Sequence, residues 1–149
     1  MHKKLLVTAY FVIAALLQTM TGNFPLSFFA FPLNVIVAVI WVYLLWRLYK
    51  EGNKLPLTRF LLSSRTSILS ILLLVGGSLV IGLFPQLSEA EAASISGVPA
   101  SLGCYNFMTS WIFIAILFLL LSNLAMVVIG LLYTSPSPRD GATARMPSS

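Results

Sequence analysis

Four apolar runs, each near the thickness of a bilayer and each free of Asp, Glu, Lys, Arg and His, decide what this chain can fold into. They cover residues 5–20, 29–46, 66–84 and 107–130. In hydrocarbon every backbone N–H and C=O must find its partner inside the segment, so such a run enters a membrane as a helix. The third run, at about 1.5 Å per residue, reaches about 28 Å. The first is short and needs extension to Asn23 to span. Only 9% of the residues are charged, against roughly 25% in soluble domains. The fold class expected is all-α: a polytopic membrane protein with four transmembrane helices.

The start of the chain, with Lys3 and Lys4 ahead of an apolar run, looks like a secretory signal. Gln18-Thr19-Met20 is not a small-x-small cleavage site, however, and further spans follow at once, so the run is read as the first span. Between spans two and three lie Arg47, Lys50, Lys54, Arg59 and Arg65 against Glu51 alone. The connector between spans one and two carries no charge, and that between three and four carries only Glu89 and Glu91. Basic segments thus alternate with non-basic ones, which predicts both termini on the cytoplasmic side and residues 86–106 on the far side. A bacterial cytoplasmic membrane is the expected location. Trp41, Tyr43, Trp46 and Tyr49 form an aromatic belt where span two meets the basic connector.

Little chemistry is available. Intramembrane ionisable groups mark ion paths, proton relays and cofactor ligands, and the runs contain none. The one histidine, His2, has no nucleophile beside it, and the one cysteine, Cys104, is read as a small interfacial residue. There is no metal-ligand spacing, no phosphate loop and no nucleic-acid signature, so neither an enzyme nor a self-sufficient pump is expected. The polar residues of the runs, among them Gln18, Asn34, Ser70, Ser110, Ser122 and Asn123, are read as helix-packing groups. On span three, Gly77, Ser78 and Gly82 form a small-residue surface, with Ser78 and Gly82 at the spacing that lets helix backbones approach.

Two segments, "TRFLLSSRTSILSILLLVGGSLVIGLFPQ" and "NFMTSWIFIAILFLLLSNLAMVVI", resemble in order and spacing the opening of the ResB (CcsB) family of cytochrome c biogenesis. The positions that carry the resemblance are Phe60, Ser63, Ser64, Ile81, Gly82, Pro85 and Gln86, then Ser110, Trp111, Phe113 and Asn123. The resemblance implies a division into residues 1–57, an extension with two spans, and residues 58–130, a ResB-like helix pair with a short outer loop. It implies a role beside a CcsA-type haem-handling partner, delivering haem and attaching it to apocytochrome c. Family members continue into a large domain outside the membrane and carry an intramembrane histidine associated with haem, for which this chain has no counterpart. Haem is therefore implied for the whole complex and no cofactor for this segment. Two other readings stay open: a small multi-pass scaffold or accessory subunit of an unrelated complex, and a piece of a transporter.

From Leu131 the pattern changes. "LLYTSPSPRD" and, after four residues, "RMPSS" resemble a translated sequencing adapter. That resemblance implies that native sequence is lost after about Gly130 and that residues 131–149 are a disordered, non-native tail. The balance before it is seven basic against three acidic residues, so the orientation argument does not need the tail.

Overall fold

The computed structural model describes residues 2–134, all helix, turn and loop. The four long apolar helices are α1 (His2–Thr21), α2 (Leu33–Lys50), α4 (Ser64–Leu83) and α7 (Trp111–Thr134). Three short helices join them: α3 (Pro56–Leu61) between α2 and α4, and α5 (Glu89–Ala93) and α6 (Val98–Ser101) between α4 and α7. The chain is an all-α polytopic membrane protein. Its four long helices are each 18 to 24 residues, about 27 to 36 Å at the α-helical rise.

The helices α1, α2 and α4 each pack along α7, and among the described residues no two of those three pack on one another to a comparable extent. Accordingly α7 holds more buried side chains than any other helix, including Ile116, Leu119, Ser122, Asn123 and Met126. The outward faces of the other three carry Leu, Ile and Val, as lipid-facing surfaces do. The main apolar cluster lies towards the basic end, where Leu45 of α2, Phe60 and Leu61 of α3, and Leu119 and Met126 of α7 meet.

Charge separates along the bundle. Lys3 and Lys4 open α1, Arg47 and Lys50 close α2, Lys54 and Arg59 flank or lie on α3, and Arg65 opens α4. These ends meet the last turns of α7: Trp46 Nε1 donates to Tyr133 Oη at 2.7 Å, and the Tyr49 and Tyr133 rings lie 5.4 Å apart. Lys50 stands 4.1 Å over the Trp46 ring, a cation held at an aromatic belt. Among the described residues the opposite end carries Glu89 and Glu91 and no basic residue.

Helix boundaries differ from the sequence reading, most of all in α2 and α7. Helix α2 runs from Leu33 to Lys50 rather than over 29–46, because Leu26–Phe29 form a separate 3-10 turn and the backbone stays helical through the basic residues. Helix α7 begins at Trp111 rather than at 107, because Asn106 leaves helical φ/ψ and Ser110 is extended. Its last turn passes Gly130 and continues to Thr134, so residues 131–134 are helical where a disordered tail was expected. The rest of that tail, 135–149, lies outside the described residues.

Candidate functional site

Polar chemistry concentrates where α4 leaves the bilayer and α7 enters it. Pro85 cannot continue α4, and the Phe84 N–H closes the helix on Val80 O at 3.1 Å. Gln86 then reaches across to the 3-10 turn Cys104–Thr109. Its Nε2 donates to Phe84 O at 3.1 Å and Cys104 O at 3.0 Å, and its Oε1 accepts the Phe107 N–H at 2.9 Å. Beside it, Leu87 N–H donates to Tyr105 O at 2.7 Å. One amide side chain thus ties the exit of α4 to the approach of α7.

A second glutamine works from the other side. Gln18, on the last turns of α1, is 4% exposed. Its Oε1 accepts the Trp111 N–H at 2.9 Å, and its Nε2 donates to Asn23 Oδ1 at 2.9 Å. Trp111 is the first residue of α7, whose early N–H groups have no partner within the helix. Gln18 takes one, and the Ser110 hydroxyl accepts another from Phe113 N–H at 3.2 Å. Gly103 makes the arrangement possible. Its φ is +75°, and a Cβ there would stand 2.8 Å from Gln18 Nε2 and 3.0 Å from Ser110 Cβ.

The loop between these clamps is itself capped. Ser88 Oγ and N–H donate to the Glu91 carboxylate at 2.8 and 3.1 Å, while Glu91 N–H returns to Ser88 Oγ at 3.4 Å. This capping box starts α5 and holds the Glu91 carboxyl below the usual range. Cys104 is half-buried, and burial pushes its thiol pKa up, so it is a poor nucleophile at neutral pH. A polar cleft of about 490 Å³ opens between α1 and this loop, lined among others by Gln18, Asn23, Glu89, Tyr105 and Asn106. Amides, hydroxyls and one carboxylate can hold a polar group by hydrogen bonds; they include no nucleophile with a base.

The residues singled out from sequence fall in three places. Pro85, Gln86 and Trp111 lie at this end, away from the basic residues. The Trp111 ring meets Phe24 edge-on at 4.9 Å, and its buried Nε1 has no hydrogen-bond partner. Ser63, Ser64 and Asn123 lie at the basic end. Ser63 caps α4 through its backbone, its carbonyl accepting from Thr66 N–H at 3.0 Å, and Ser64 is exposed. Asn123 is fully buried and donates from Nδ2 to Leu61 O at 2.6 Å, satisfying the end of α3 and leaving its own Oδ1 unpartnered.

The third place is the face of α4. Gly77 packs against α7 and its approach, where a Cβ would meet Phe107 and Phe113 at 3.3 Å. Ser78 and Gly82 do not share that surface, which corrects the small-residue motif. Ser78 is exposed and bonds its own backbone at Leu74 O, and nothing lies within 4 Å of a Cβ at Gly82. The face that packs is Thr66, Ser70 and Gly77, spaced by four and seven residues so that they stack on one side.

His2 opens α1 at the basic end, whereas Cys104 lies in the loop at the other, and among the described residues no three His, Cys, Asp or Glu side chains gather. No family model, no curated protein and no solved structure matches the chain.

Proposed function

We propose that this chain is a membrane scaffold, the N-terminal membrane part of a ResB-like subunit that acts beside a CcsA-type partner in haem delivery and attachment to apocytochrome c. The observation that carries the reading is that Gln86, which follows Pro85, and Trp111 are both held by hydrogen bonds at the end away from the basic residues, Gln86 by Cys104 and Phe107 and Trp111 by Gln18. With the basic end cytoplasmic, the loop at that opposite end faces the compartment where the family attaches haem. Its part is to fix the outer ends of α4 and α7 for what adjoins them. The chain contributes no haem ligand and no catalytic group.

The test uses the full-length gene, expressed with its CcsA-type partner and a reporter apocytochrome. Haem staining of the reporter is lost on deletion of the gene and is not restored by residues 1–130 alone. Normal holocytochrome in the deletion strain rejects the assignment.

A second reading, a small scaffold or accessory subunit of an unrelated complex in the same membrane, is favoured by one observation. Gln18 of α1 holds the first turn of α7, and α2 also packs along α7, so the first two spans share one bundle with the other two. Under that reading holocytochrome stays normal in the deletion strain.

A further inference from the structure

The helices α1 and α2 lean on α7 without closing on each other, and the gap is a crevice open to the bilayer. Its half near the basic end, about 240 Å³, is walled by Leu6 and Val7 of α1, Leu44 and Leu48 of α2, and Leu57 of α3. A larger half, about 580 Å³, continues towards Phe24 and Trp111. Tyr10, Trp41 and Phe118 line both halves. We propose that this crevice binds an acyl chain of an anionic phospholipid from the leaflet at the basic end, with its phosphate held by Lys3 and Lys4.

Three observations choose that occupant. First, the polar groups lining the half near the basic end are already paired. Tyr10 Oη donates to Ala115 O at 2.8 Å and Trp41 Nε1 to Ser122 Oγ at 3.2 Å, so that half asks for hydrocarbon, and the unpartnered Trp111 Nε1 lies at the far end of the larger half. Second, the lining does not suit a helix at the junction of the two halves. A helix with its side chains is about 10 Å across and approaches another closely over small residues, whereas the bulky Tyr10, Trp41 and Phe118 line both halves. A single flexible chain can pass them. Third, charge marks one mouth. Lys3 shares a face of α1 with Val7 and Tyr10, and Lys4 is beside it. Lys54 precedes Leu57 in the connector, and among the described residues Glu51 is the one acidic residue at this end. Basic side chains at a membrane surface attract anionic headgroups.

Trp41 reports on the crevice directly. The full chain carrying Trp46→Phe and Trp111→Phe keeps Trp41 as its one tryptophan. It is reconstituted in phosphatidylcholine vesicles containing a minor fraction of brominated phosphatidylglycerol or, separately, of brominated phosphatidylcholine. At equal mole fraction the anionic lipid is expected to quench Trp41 at least twofold more strongly. Lys3→Gln with Lys4→Gln should remove at least half of that preference. Equal quenching by the two lipids overturns the proposal. So does protection of Trp41 from both, the result expected if a partner helix or a second copy fills the gap. The unsubstituted chain gives an independent reading that needs no tryptophan change. Purified by detergent exchange, it should retain phosphatidylglycerol enriched over the source membrane, with the enrichment reduced in the Lys3→Gln, Lys4→Gln protein. No enrichment also overturns the proposal.

Discussion

Gln18 and Gly103 form a pair whose energies should not add. Replacing Gln18 by Ala leaves the Trp111 N–H and Asn23 Oδ1 without their partner, at an expected cost of about 1–3 kcal/mol. Gly103→Ala puts a Cβ at positive φ and against Gln18 Nε2, which should cost more than about 1 kcal/mol. In the double variant that side-chain collision is gone, so the total should fall short of the sum by about 0.5 kcal/mol or more. Thermal unfolding of the four proteins in detergent measures this, and strict additivity would show that the two side chains do not meet. Cys104 offers a pH test of the same loop. Its pKa is raised by burial, so less of it is thiolate at neutral pH than in a free cysteine, and only the thiolate reacts. Maleimide labelling should therefore be slower than for a free thiol and should keep rising with pH beyond the point where a free thiol levels off. A profile at or below that of free cysteine contradicts the burial.

The face that α4 turns to α7 gives a paired substitution. Gly77→Leu should drive a side chain into Phe107 and Phe113 and sharply lower the yield of folded protein, while Gly82→Leu, with open space around it, should leave the yield nearly unchanged. Equal losses would mean that the far side of α4 is also covered. Sequence reading found the four spans because uncharged length is a local property. It misplaced their ends because hydropathy registers where lipid stops, whereas a helix stops where its backbone finds another partner. Arg47 and Lys50 therefore lie inside α2, and Phe107 lies outside α7. The Ser78 to Gly82 spacing misled for a related reason. A repeat of four residues says that two side chains share a face, but not which face is buried, and Thr66, Ser70 and Gly77 were the ones turned inward. Gln86 was flagged through a resemblance and proves to be a loop clamp. Gln18 was noted only as one polar residue among several, because its partner lies 93 positions away.

Seven basic residues gathered at one end of the bundle make orientation the most direct property of the protein to measure. With Cys104 changed to Ser, a cysteine placed at Glu91 should react with an impermeant thiol reagent on intact spheroplasts, and one placed at Lys54 should react only after lysis. The reverse pattern would invert the topology and remove the outer loop from the compartment its proposed role requires. The position of α7 has a separate consequence, for biosynthesis. The helix against which α1, α2 and α4 all lie is the last of the four to leave the ribosome. Until it arrives, three inserted helices share a membrane with little to hold them to one another. Chains arrested ahead of Trp111 should be prey to membrane proteases, and resistance should come abruptly, with the arrival of the final helix, rather than span by span.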